Sequence, residues 1–478
     1  MIGTLTLGQE EGITVAEGGH YDIVILGGGS GGYACALRAA ELGKRVALIE
    51  KDKVGGTCLH RGCIPTKALL HAAELADQSR ESAKFGIKTT FDGVEMPAVL
   101  AYQGSVVDRL WKGLQSTIAS RKIDTIIGDG QLASPTSVRV GDVTYEGEHI
   151  VLATGSEPRS LPGLELDGTH VISSDDALRL DRVPSSVIVL GGGVIGVEFA
   201  SVWRSFGADV TIVEMMPQLL PLEDETSARH LQRAFRRRGI GLELDSKFES
   251  VKHSEGGVTV TLAGGKTLEA ELLLVAVGRG PVSSGLGYEA NGVTVNRGFV
   301  VVDELCRTNV PTISAVGDLI ATPQLAHVGF AEGIMVAERL GGLEVKPIDY
   351  DGVPRITYSD PEVASVGLTS AQVAERGLEV VELNYPIGAN GRSVILQTSG
   401  GAKVIAEAGT DGSGPGRVLG IHLVGSRVGE LIAEGQLIVN WDAEPADVAQ
   451  LIHPHPTQSE IIGEAHLALA GKPLHFHA

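Results

Sequence analysis

The sequence predicts an α/β protein with two dinucleotide-binding domains, followed by an α+β domain at the carboxyl end. Three observations lead to this prediction: a glycine-rich segment that occurs twice, an acidic residue at a fixed distance after each copy, and a change of pattern near residue 350. A chain of 478 residues is also too long for one hydrophobic core, so several domains are expected.

The two glycine-rich segments are YDIVILGGGSGG at residues 21–32 and SSVIVLGGGVIG at residues 185–196. In each, an apolar strand-like run leads into G-x-G-x-x-G, and helical patterns follow at 33–42 and 197–206. This combination lets backbone and a helix N-terminus approach a pyrophosphate, so it predicts two Rossmann-like βαβ units. The motif glycines are Gly27, Gly29 and Gly32 in the first copy, and Gly191, Gly193 and Gly196 in the second.

Each copy ends in a second apolar strand and an acid, which is Glu50 in the first and Glu214 in the second. Both acids stand 23 residues after the first glycine of their motif. A carboxylate in this place accepts hydrogen bonds from a ribose diol. The repeat therefore predicts two bound dinucleotides without saying which is which, and the alternative is a structural βαβ unit with chance glycines.

The expected organisation has an amino-terminal extension (1–20), a first nucleotide domain (21–158), a second nucleotide domain (159–285), a continuation of the first (286–350) and a carboxy-terminal domain (351–478). The segment VVDELCRTNVPTISAVGDL alternates like a strand and ends at Gly317-Asp318. After residue 350, PRITYSDPEVASVGL, KVIAEAG and GRVLGIHLVG are typical of strands, and residues 426–441 have helical spacing.

Charge and composition exclude several classes of function. The net charge of −20 repels nucleic acid and anionic lipid, so neither is expected as a partner. The sequence contains no apolar run long enough for a transmembrane helix, and residues 1–20 do not resemble a signal peptide. We expect a cytoplasmic protein, where close cysteine pairs are usually redox-active or metal-binding.

Cys58 and Cys63 stand five apart in GGTCLHRGCIPTK, whereas the other two cysteines, Cys35 and Cys306, are isolated. A redox pair, half of a metal site and two core residues are the alternatives, and no metal site is predicted because a second ligand pair is missing. Residues five apart in a regular helix are about 8.6 Å between Cα atoms, beyond the usual disulfide limit of about 7 Å. Pro65 suits a first helical turn, so the segment is expected to be a turn entering a helix, with Cys63 where a thiolate is stabilised.

GGTCLHRGCIPTK closely resembles the redox-active disulfide signature of the pyridine nucleotide–disulfide oxidoreductases, a family of flavoproteins. The resemblance runs from about Tyr21 to the carboxyl end, through Ala153-Thr154-Gly155, the second glycine motif, Gly317-Asp318 and HPTQSE at 455–460. The chain has His60 where the family usually has Asn, and Thr66 where it often has Ser.

The resemblance implies that FAD occupies the first nucleotide site and a nicotinamide nucleotide the second. Because the acid Glu214 repels a 2′-phosphate, NAD is favoured over NADP. The implied FAD residues are Gly27, Gly29, Gly32, Glu50, Lys51, Gly56, Thr57, Gly130, Thr154, Gly155, Asp318, Leu325, Ala326 and His327. The implied NAD residues are Gly191, Gly193, Ile195, Gly196, Glu214 and Gly278.

The resemblance also implies the catalytic residues. Cys58 would exchange with a substrate dithiol and Cys63 would face the flavin, with Lys67 paired to Glu198 nearby. His455 would be the acid/base and Glu460 its carboxylate partner, contributed by the second subunit of a homodimer. The spacing Thr457-x-x-Glu460 equally fits a helix capping box, and both interpretations can hold because a carboxylate has two oxygens.

Within the family, the preference for NAD and the lack of any cysteine after Cys306 imply the branch that oxidises dihydrolipoyl groups of lipoylated carrier proteins. Docking to the acyltransferase core of a 2-oxo acid dehydrogenase complex would then be expected. The alternatives are an NADPH-dependent reductase of small disulfides, and a non-catalytic flavoprotein subunit of a multienzyme complex.

Overall fold

The computed structural model describes residues 18–409 and 414–476. The predicted amino-terminal extension, residues 1–20, lies outside the described residues except for its last three, and His20 already begins the first strand. Within the described part of the chain, none of the helices combines the length and apolar character that a bilayer span requires.

The strands are numbered in chain order. They are β1 (His20–Leu26), β2 (Val46–Glu50), β3 (Asp124–Ile127), β4 (Gly130–Ser134), β5 (Ser137–Val140), β6 (Val143–Leu152), β7 (Ser156–Pro158), β8 (Val171–Ile172), β9 (Ser186–Leu190), β10 (Asp209–Val213), β11 (Gly241–Glu243), β12 (Phe248–Ser254), β13 (Gly257–Leu262), β14 (Thr267–Ala270), β15 (Leu272–Val275), β16 (Arg279–Pro281), β17 (Val295–Asn296), β18 (Phe299–Val300), β19 (Ile313–Ala315), β20 (Arg355–Thr357), β21 (Glu362–Gly367), β22 (Val380–Pro386), β23 (Gly401–Glu407) and β24 (Val418–Gly425).

The α-helices follow the same numbering, and short 3-10 helices occur between some of them. The α-helices are α1 (Ser30–Glu41), α2 (Gly56–Arg61), α3 (Cys63–Glu81), α4 (Met96–Ser120), α5 (Ser174–Ala177), α6 (Val194–Phe206), α7 (Glu225–Arg237), α8 (Ala326–Leu340), α9 (Ser370–Glu375), α10 (Gly391–Ile395), α11 (Val428–Asn440), α12 (Pro445–Val448) and α13 (Glu460–Leu469).

The first compact unit contains the described residues up to 60, together with 107–157 and 280–348. Its sheet has the order β3-β2-β1-β6-β5-β4, and β19 also pairs with β6. The pairs of β1 with β2 and β6 are parallel, so Ile23 lies opposite both Val46 and His149. Residues 23–26 of β1 are all buried, as expected for a parallel strand that is covered on both faces.

The second compact unit contains residues 61–106, 158–279 and the described residues from 349 onward. It holds a parallel sheet of order β11-β10-β9-β15-β8 and an antiparallel sheet of order β20-β21-β24-β23-β22. The predicted α/β class, with two βαβ units and a carboxy-terminal α+β part, is therefore confirmed.

Local predictions are partly correct. The helix predicted at 426–441 is α11, and the helix expected near Pro65 begins at Cys63. The helices after the glycine motifs begin at Ser30 and Val194, three residues earlier than expected, because the glycine turn itself forms their first turn. The alternating segment before Gly317 is mostly not a strand, because sequence alternation does not by itself supply a pairing partner.

Candidate active site

The first glycine turn is built so that only glycine fits at two of its positions. Gly27 has φ +108°, and a Cβ there would lie 2.2 Å from the carbonyl oxygen of Ala153. A Cβ at Gly32 would lie 1.9 Å from the Gly27 oxygen. At Gly29, which precedes α1, no atom of the described residues lies within 4 Å of a Cβ, so this position opens onto space at a helix N-terminus. The turn therefore fits a pyrophosphate.

The second glycine turn repeats this geometry. Gly191 has φ +112°, and a Cβ there would lie 2.3 Å from the Ala276 oxygen. A Cβ at Gly196 would lie 2.0 Å from the Gly191 oxygen, whereas one at Gly193 would meet no atom of the described residues within 4 Å. Two cradles of the same form thus precede α1 and α6, which supports the prediction of two dinucleotides.

The terminal acids also match each other. Glu50 accepts the backbone N–H of Gly28 at 2.7 Å through one oxygen and that of Asp52 at 2.9 Å through the other. Glu214 accepts the N–H of Gly192 at 2.6 Å and that of Met216 at 2.8 Å. Each carboxylate is held beside its glycine turn, in the place where a ribose diol is bound in such folds.

Further predicted FAD residues surround the first turn. Gly56 opens α2 with φ +58°, and a Cβ there would lie 2.6 Å from the Cα of Gly29, so glycine is needed for this close approach. Gly130 is buried at the start of β4, where a Cβ would lie 2.5 Å from Leu26 Cδ1. Core packing alone accounts for the glycine at position 130.

Thr154 and Asp318 are both held by hydrogen bonds within the first unit. The Thr154 hydroxyl donates to the Val282 carbonyl oxygen at 2.6 Å and lies 3.0 Å from the Tyr288 hydroxyl. The hydroxyl of Ser156 donates to Asp318 Oδ2 at 2.6 Å. Gly155, which lies between Thr154 and Ser156, has φ +70°, and a Cβ there would meet no atom of the described residues within 4 Å. These residues form a hydrogen-bonded, partly open edge just after β6.

The turn at Gly317 depends on Glu332, a residue that the sequence analysis missed. Glu332 is fully buried in α8, and its carboxylate accepts the N–H of Gly317 at 2.6 Å and the hydroxyl of Thr322 at 2.7 Å. The sequence feature that could have indicated Glu332 is a single acid on the apolar face of a helical segment. Leu325 precedes α8, whose first two residues are Ala326 and His327.

The remaining predicted nucleotide residues have simple positions. Lys51 is exposed just after β2, and Thr57 is half-buried in α2. Ile195 is half-buried in the first turn of α6. Gly278 has φ +110°, and its carbonyl oxygen accepts the N–H of Arg159 at 3.0 Å.

The cysteine segment is a helix, a break and a second helix. The second helix was expected, whereas the first forms where the sequence predicted only a turn. Cys58 lies in α2, and Cys63 is the first residue of the 19-residue helix α3. Gly62 lies between the helices with φ −148° and ψ −110°, a conformation that interrupts helical geometry. Pro65 is accommodated in the first turn of α3, where its missing N–H costs no hydrogen bond.

The two departures from the family signature have clear contacts. The His60 ring lies with Nε2 3.0 Å from the Val54 carbonyl oxygen and packs edge-on against Trp111. The Thr66 hydroxyl donates to the Gly62 carbonyl oxygen at 2.6 Å. His60 therefore connects the cysteine segment to the backbone at Val54, and Thr66 makes a hydrogen bond within the segment.

Lys67 and Glu198 form the ion pair that the resemblance implies. Lys67 Nζ donates to both carboxylate oxygens of Glu198, at 3.0 and 2.9 Å, although the residues are 131 apart in sequence. Burial alone would lower the pKa of Lys67, but the attraction of Glu198 outweighs it, and the electrostatic effect of Cys63 adds to the rise. A fixed positive charge thus lies one helical turn from Cys63.

His455 is paired with Glu460 as predicted. His455 Nδ1 lies 2.8 Å from Glu460 Oε1, and 78% of the His455 side chain is exposed. Burial pushes the pKa of Glu460 up, but the Thr457 N–H and the neighbouring His455 together hold it below its usual range. The carboxylate therefore stays ionised at neutral pH and favours the tautomer whose Nε2 can accept a proton.

The predicted capping box is only half formed. Glu460 Oε2 accepts the Thr457 N–H at 2.8 Å, but the Thr457 hydroxyl donates to the Pro454 carbonyl oxygen at 2.7 Å. The helix α13 begins at Glu460 itself, too late for Thr457 to cap it. Of the capping interpretation only the bond from the Thr457 N–H to Glu460 is present, and the acid/base interpretation stays a prediction.

Comparison with known proteins agrees with these features. A family model described as pyridine nucleotide-disulphide oxidoreductase matches residues 21–333, and its dimerisation-domain model matches residues 353–466. The chain belongs to the pyridine nucleotide-disulphide oxidoreductase family. The resemblance stated from the cysteine and glycine motifs is thereby confirmed, and the carboxy-terminal part is the family's dimerisation domain.

Similar proteins cover nearly the whole chain. The dihydrolipoyl dehydrogenase of Bacillus subtilis is 40% identical over 482 residues, which cover 96% of this chain and 99% of that protein. The mitochondrial dihydrolipoyl dehydrogenase of Pisum sativum is 38% identical over 468 residues, covering 95% and 92%. Among solved structures, LpdA from Mycobacterium tuberculosis has a TM-score of 0.86 and 28% identity, covering 94% of this chain and 99% of that one. The Cu(II) complex of the HOCl-induced flavoprotein disulfide reductase RclA from Escherichia coli has a TM-score of 0.84 and 30% identity, with the same coverage.

Proposed function

We propose that this chain is a dihydrolipoyl dehydrogenase, which uses NAD to oxidise the dihydrolipoyl group of a lipoylated carrier protein. The observation that carries the proposal is Cys63 at the start of α3, followed one turn later by Lys67 ion-paired to Glu198. This arrangement stabilises a thiolate, which a disulfide exchange needs and a structural crosslink does not. Relatives named dihydrolipoyl dehydrogenase, 36–40% identical over nearly the full length, support it.

The first glycine turn with Glu50 holds FAD, and the second with Glu214 holds NAD. The open positions at Gly29 and Gly193 give each pyrophosphate access to a helix N-terminus. When bound, FAD would supply the two-electron redox chemistry that connects the cysteine dithiol to NAD. We also propose domain boundaries near residues 158 and 285, so that each βαβ part would hold one nucleotide.

The chain's own residues perform the thiol chemistry. A substrate thiolate attacks the sulfur of Cys58, and the Cys58–Cys63 bond breaks with Cys63 leaving as a thiolate beside Lys67. The second substrate thiolate then attacks the mixed disulfide, releases the oxidised lipoyl ring and leaves Cys58 reduced. His455 accepts the proton of the first attacking thiol, and the departing Cys58 sulfur takes up the proton of the second. Glu460 orients the His455 ring through Nδ1.

The partners follow from the same assignment. The dimerisation domain makes a homodimer, in which His455 serves the cysteine pair of the other subunit. We further propose a cytoplasmic location and docking to the acyltransferase core of a 2-oxo acid dehydrogenase complex. Sedimentation of the chain with such a core, compared with the chain alone, tests the docking.

Two assays on the purified flavoprotein decide the function. We expect rapid NAD-linked oxidation of dihydrolipoamide and little NADPH-linked reduction of glutathione disulfide. Cys58→Ser serves as the control that removes the exchanging thiol while leaving both nucleotide sites intact. Faster turnover with NADPH and glutathione disulfide would instead identify a reductase of small disulfides.

A further inference from the structure

Tyr358 lies directly against the Lys67–Glu198 ion pair. Lys67 Nζ is 4.7 Å from the centroid of the Tyr358 ring, on its face, and the backbone N–H of Tyr358 donates to Glu198 Oε1 at 2.9 Å. Tyr358 thus contacts both members of the pair, the cation with its ring and the carboxylate with its backbone. The ammonium of Lys67 is held between a carboxylate and an aromatic face.

The backbone around Tyr358 is fastened to α6 at a second point. The N–H of Asp360 donates to Ser201 Oγ at 3.1 Å, one helical turn beyond Glu198. Arg238 Nη1 donates both to Ser201 Oγ and to the Asp360 carbonyl oxygen, at 2.8 Å each. Because the chain is bonded to α6 at these two places, the backbone of Tyr358 is held beside the Lys67–Glu198 pair.

The charges around the ring come from four elements. Lys67 reaches it from α3, Glu198 from α6, Glu362 from β21 and Glu430 from α11. Burial and the three carboxylates raise the pKa of the Tyr358 phenol, while Lys67 lowers it, and the net direction is upward. The ring is therefore a neutral phenol at working pH, and Lys67 is the cation against its face.

We propose that Tyr358 is a positioning residue for the dithiol reaction, holding the Lys67 ammonium beside Cys63 through its ring and the Glu198 carboxylate through its N–H. A lysine side chain has four rotatable bonds, and one carboxylate does not restrict all of them. Removing the ring frees the ammonium to leave Cys63, so thiolate at Cys63 becomes less favourable. The effect of Tyr358 on catalysis rests on the proposed function, whereas the contact between Tyr358 and Lys67 is independent of it.

The test compares Tyr358→Phe, which keeps the aromatic face, with Tyr358→Leu, which removes it and retains the backbone N–H. The pH dependence of iodoacetamide alkylation at Cys63 is measured in the reduced flavoprotein, and trypsin cleavage after Arg61 separates Cys58 from Cys63 for mass spectrometry. We expect the midpoint for Tyr358→Leu to rise by about half a pH unit and that for Tyr358→Phe to stay at the wild-type value. Equal midpoints in wild type and Tyr358→Leu would overturn the proposal.

A double substitution shows whether Tyr358 acts through Lys67. In a Lys67→Met background, Tyr358→Leu should cause no further shift, because the cation is already gone. If Tyr358→Leu still shifts the alkylation midpoint in this background, Tyr358 has a general structural role and does not act by positioning Lys67. Retained flavin and an unchanged melting temperature establish that each variant is folded. Absence of dihydrolipoamide activity in the wild-type protein would refute the proposed function. The alkylation midpoints would still test whether Tyr358 positions Lys67.

Discussion

His455 Nδ1 lies 2.8 Å from Glu460 Oε1, while the other oxygen of the same carboxylate accepts the Thr457 N–H at 2.8 Å. One carboxylate therefore orients the imidazole and fastens the chain that enters α13. Because the two contacts use different oxygens, the proposed role in proton transfer and the role in local structure do not compete.

His455→Gln should lower kcat for dihydrolipoamide oxidation by about 100-fold or more, since general base catalysis typically contributes 10²–10⁴-fold. Steady-state turnover at saturating NAD measures the loss. The matched control is His453→Gln, whose ring bonds Glu434 at 2.7 Å instead of Glu460 and should leave turnover near wild type. If His455→Gln turns over normally, the pair has only a structural role.

Glu214→Gln should narrow the preference for NAD over NADP by about tenfold, because a hydrogen bond to a charged group contributes about 1.5–3 kcal/mol. Glutamine keeps one acceptor for the N–H of Gly192 or Met216, so the turn is less disturbed than in Glu214→Ala. The ratio of kcat/KM for the two nucleotides measures the effect. Glu50→Gln, the equivalent change in the first repeat, should leave this ratio alone and weaken flavin retention, so identical behaviour of the two variants would contradict the assignment.

Gly193→Ala and Gly196→Ala should behave differently although they lie three residues apart. A Cβ at Gly193 meets open space, and its backbone, at φ −76° and ψ −176°, suits any residue. We expect normal stability and a raised KM for NAD. At Gly196 the Cβ would overlap the Gly191 oxygen, so Gly196→Ala should cost about 1–3 kcal/mol of stability or more. Thermal unfolding and NAD kinetics separate the two effects.

Cys63→Ser and Cys58→Ser should both stop dithiol-dependent NADH formation, because each removes half of the proposed redox disulfide. The long-wavelength thiolate–flavin band should disappear only in Cys63→Ser, and absorption spectra of the reduced variants measure it. Cys35→Ala is the control, since burial raises the pKa of the Cys35 thiol to about 12 and keeps it out of the chemistry. If the band survives in Cys63→Ser, the roles assigned to Cys58 and Cys63 are the wrong way round.

The His453–Glu434 pair should make stability depend on pH. The hydrogen bond to Glu434 raises the pKa of His453 above its ordinary value near 6.5, despite partial burial. The pair therefore stabilises the fold fully below pH 6.5, and this contribution is lost as the pH rises through the higher folded value. Urea unfolding at fixed protein concentration should show Glu434→Gln less stable than wild type by about 1 kcal/mol at pH 5.5, with a smaller difference at pH 9. A difference that grows with pH would reverse the assigned sign.

The sequence by itself determined the repeated βαβ units, their glycine turns and acids, and the helix that begins at the cysteine segment. These features rest on short-range requirements: Gly27 and Gly191 need positive φ, and Gly32 and Gly196 must approach backbone only five residues away. Such requirements act within one turn or one βαβ unit, so spacing in the sequence records them.

Only the tertiary structure decided which distant residues meet. Lys67 and Glu198 lie 131 positions apart, and Tyr358 a further 160 beyond Glu198, because α3 and β20 both pack beside α6. The family resemblance suggested the first contact, and no local pattern marks Tyr358. Contacts of this kind depend on how whole helices and strands pack. The residue pattern of one helix or strand does not indicate which side chain of another will contact it.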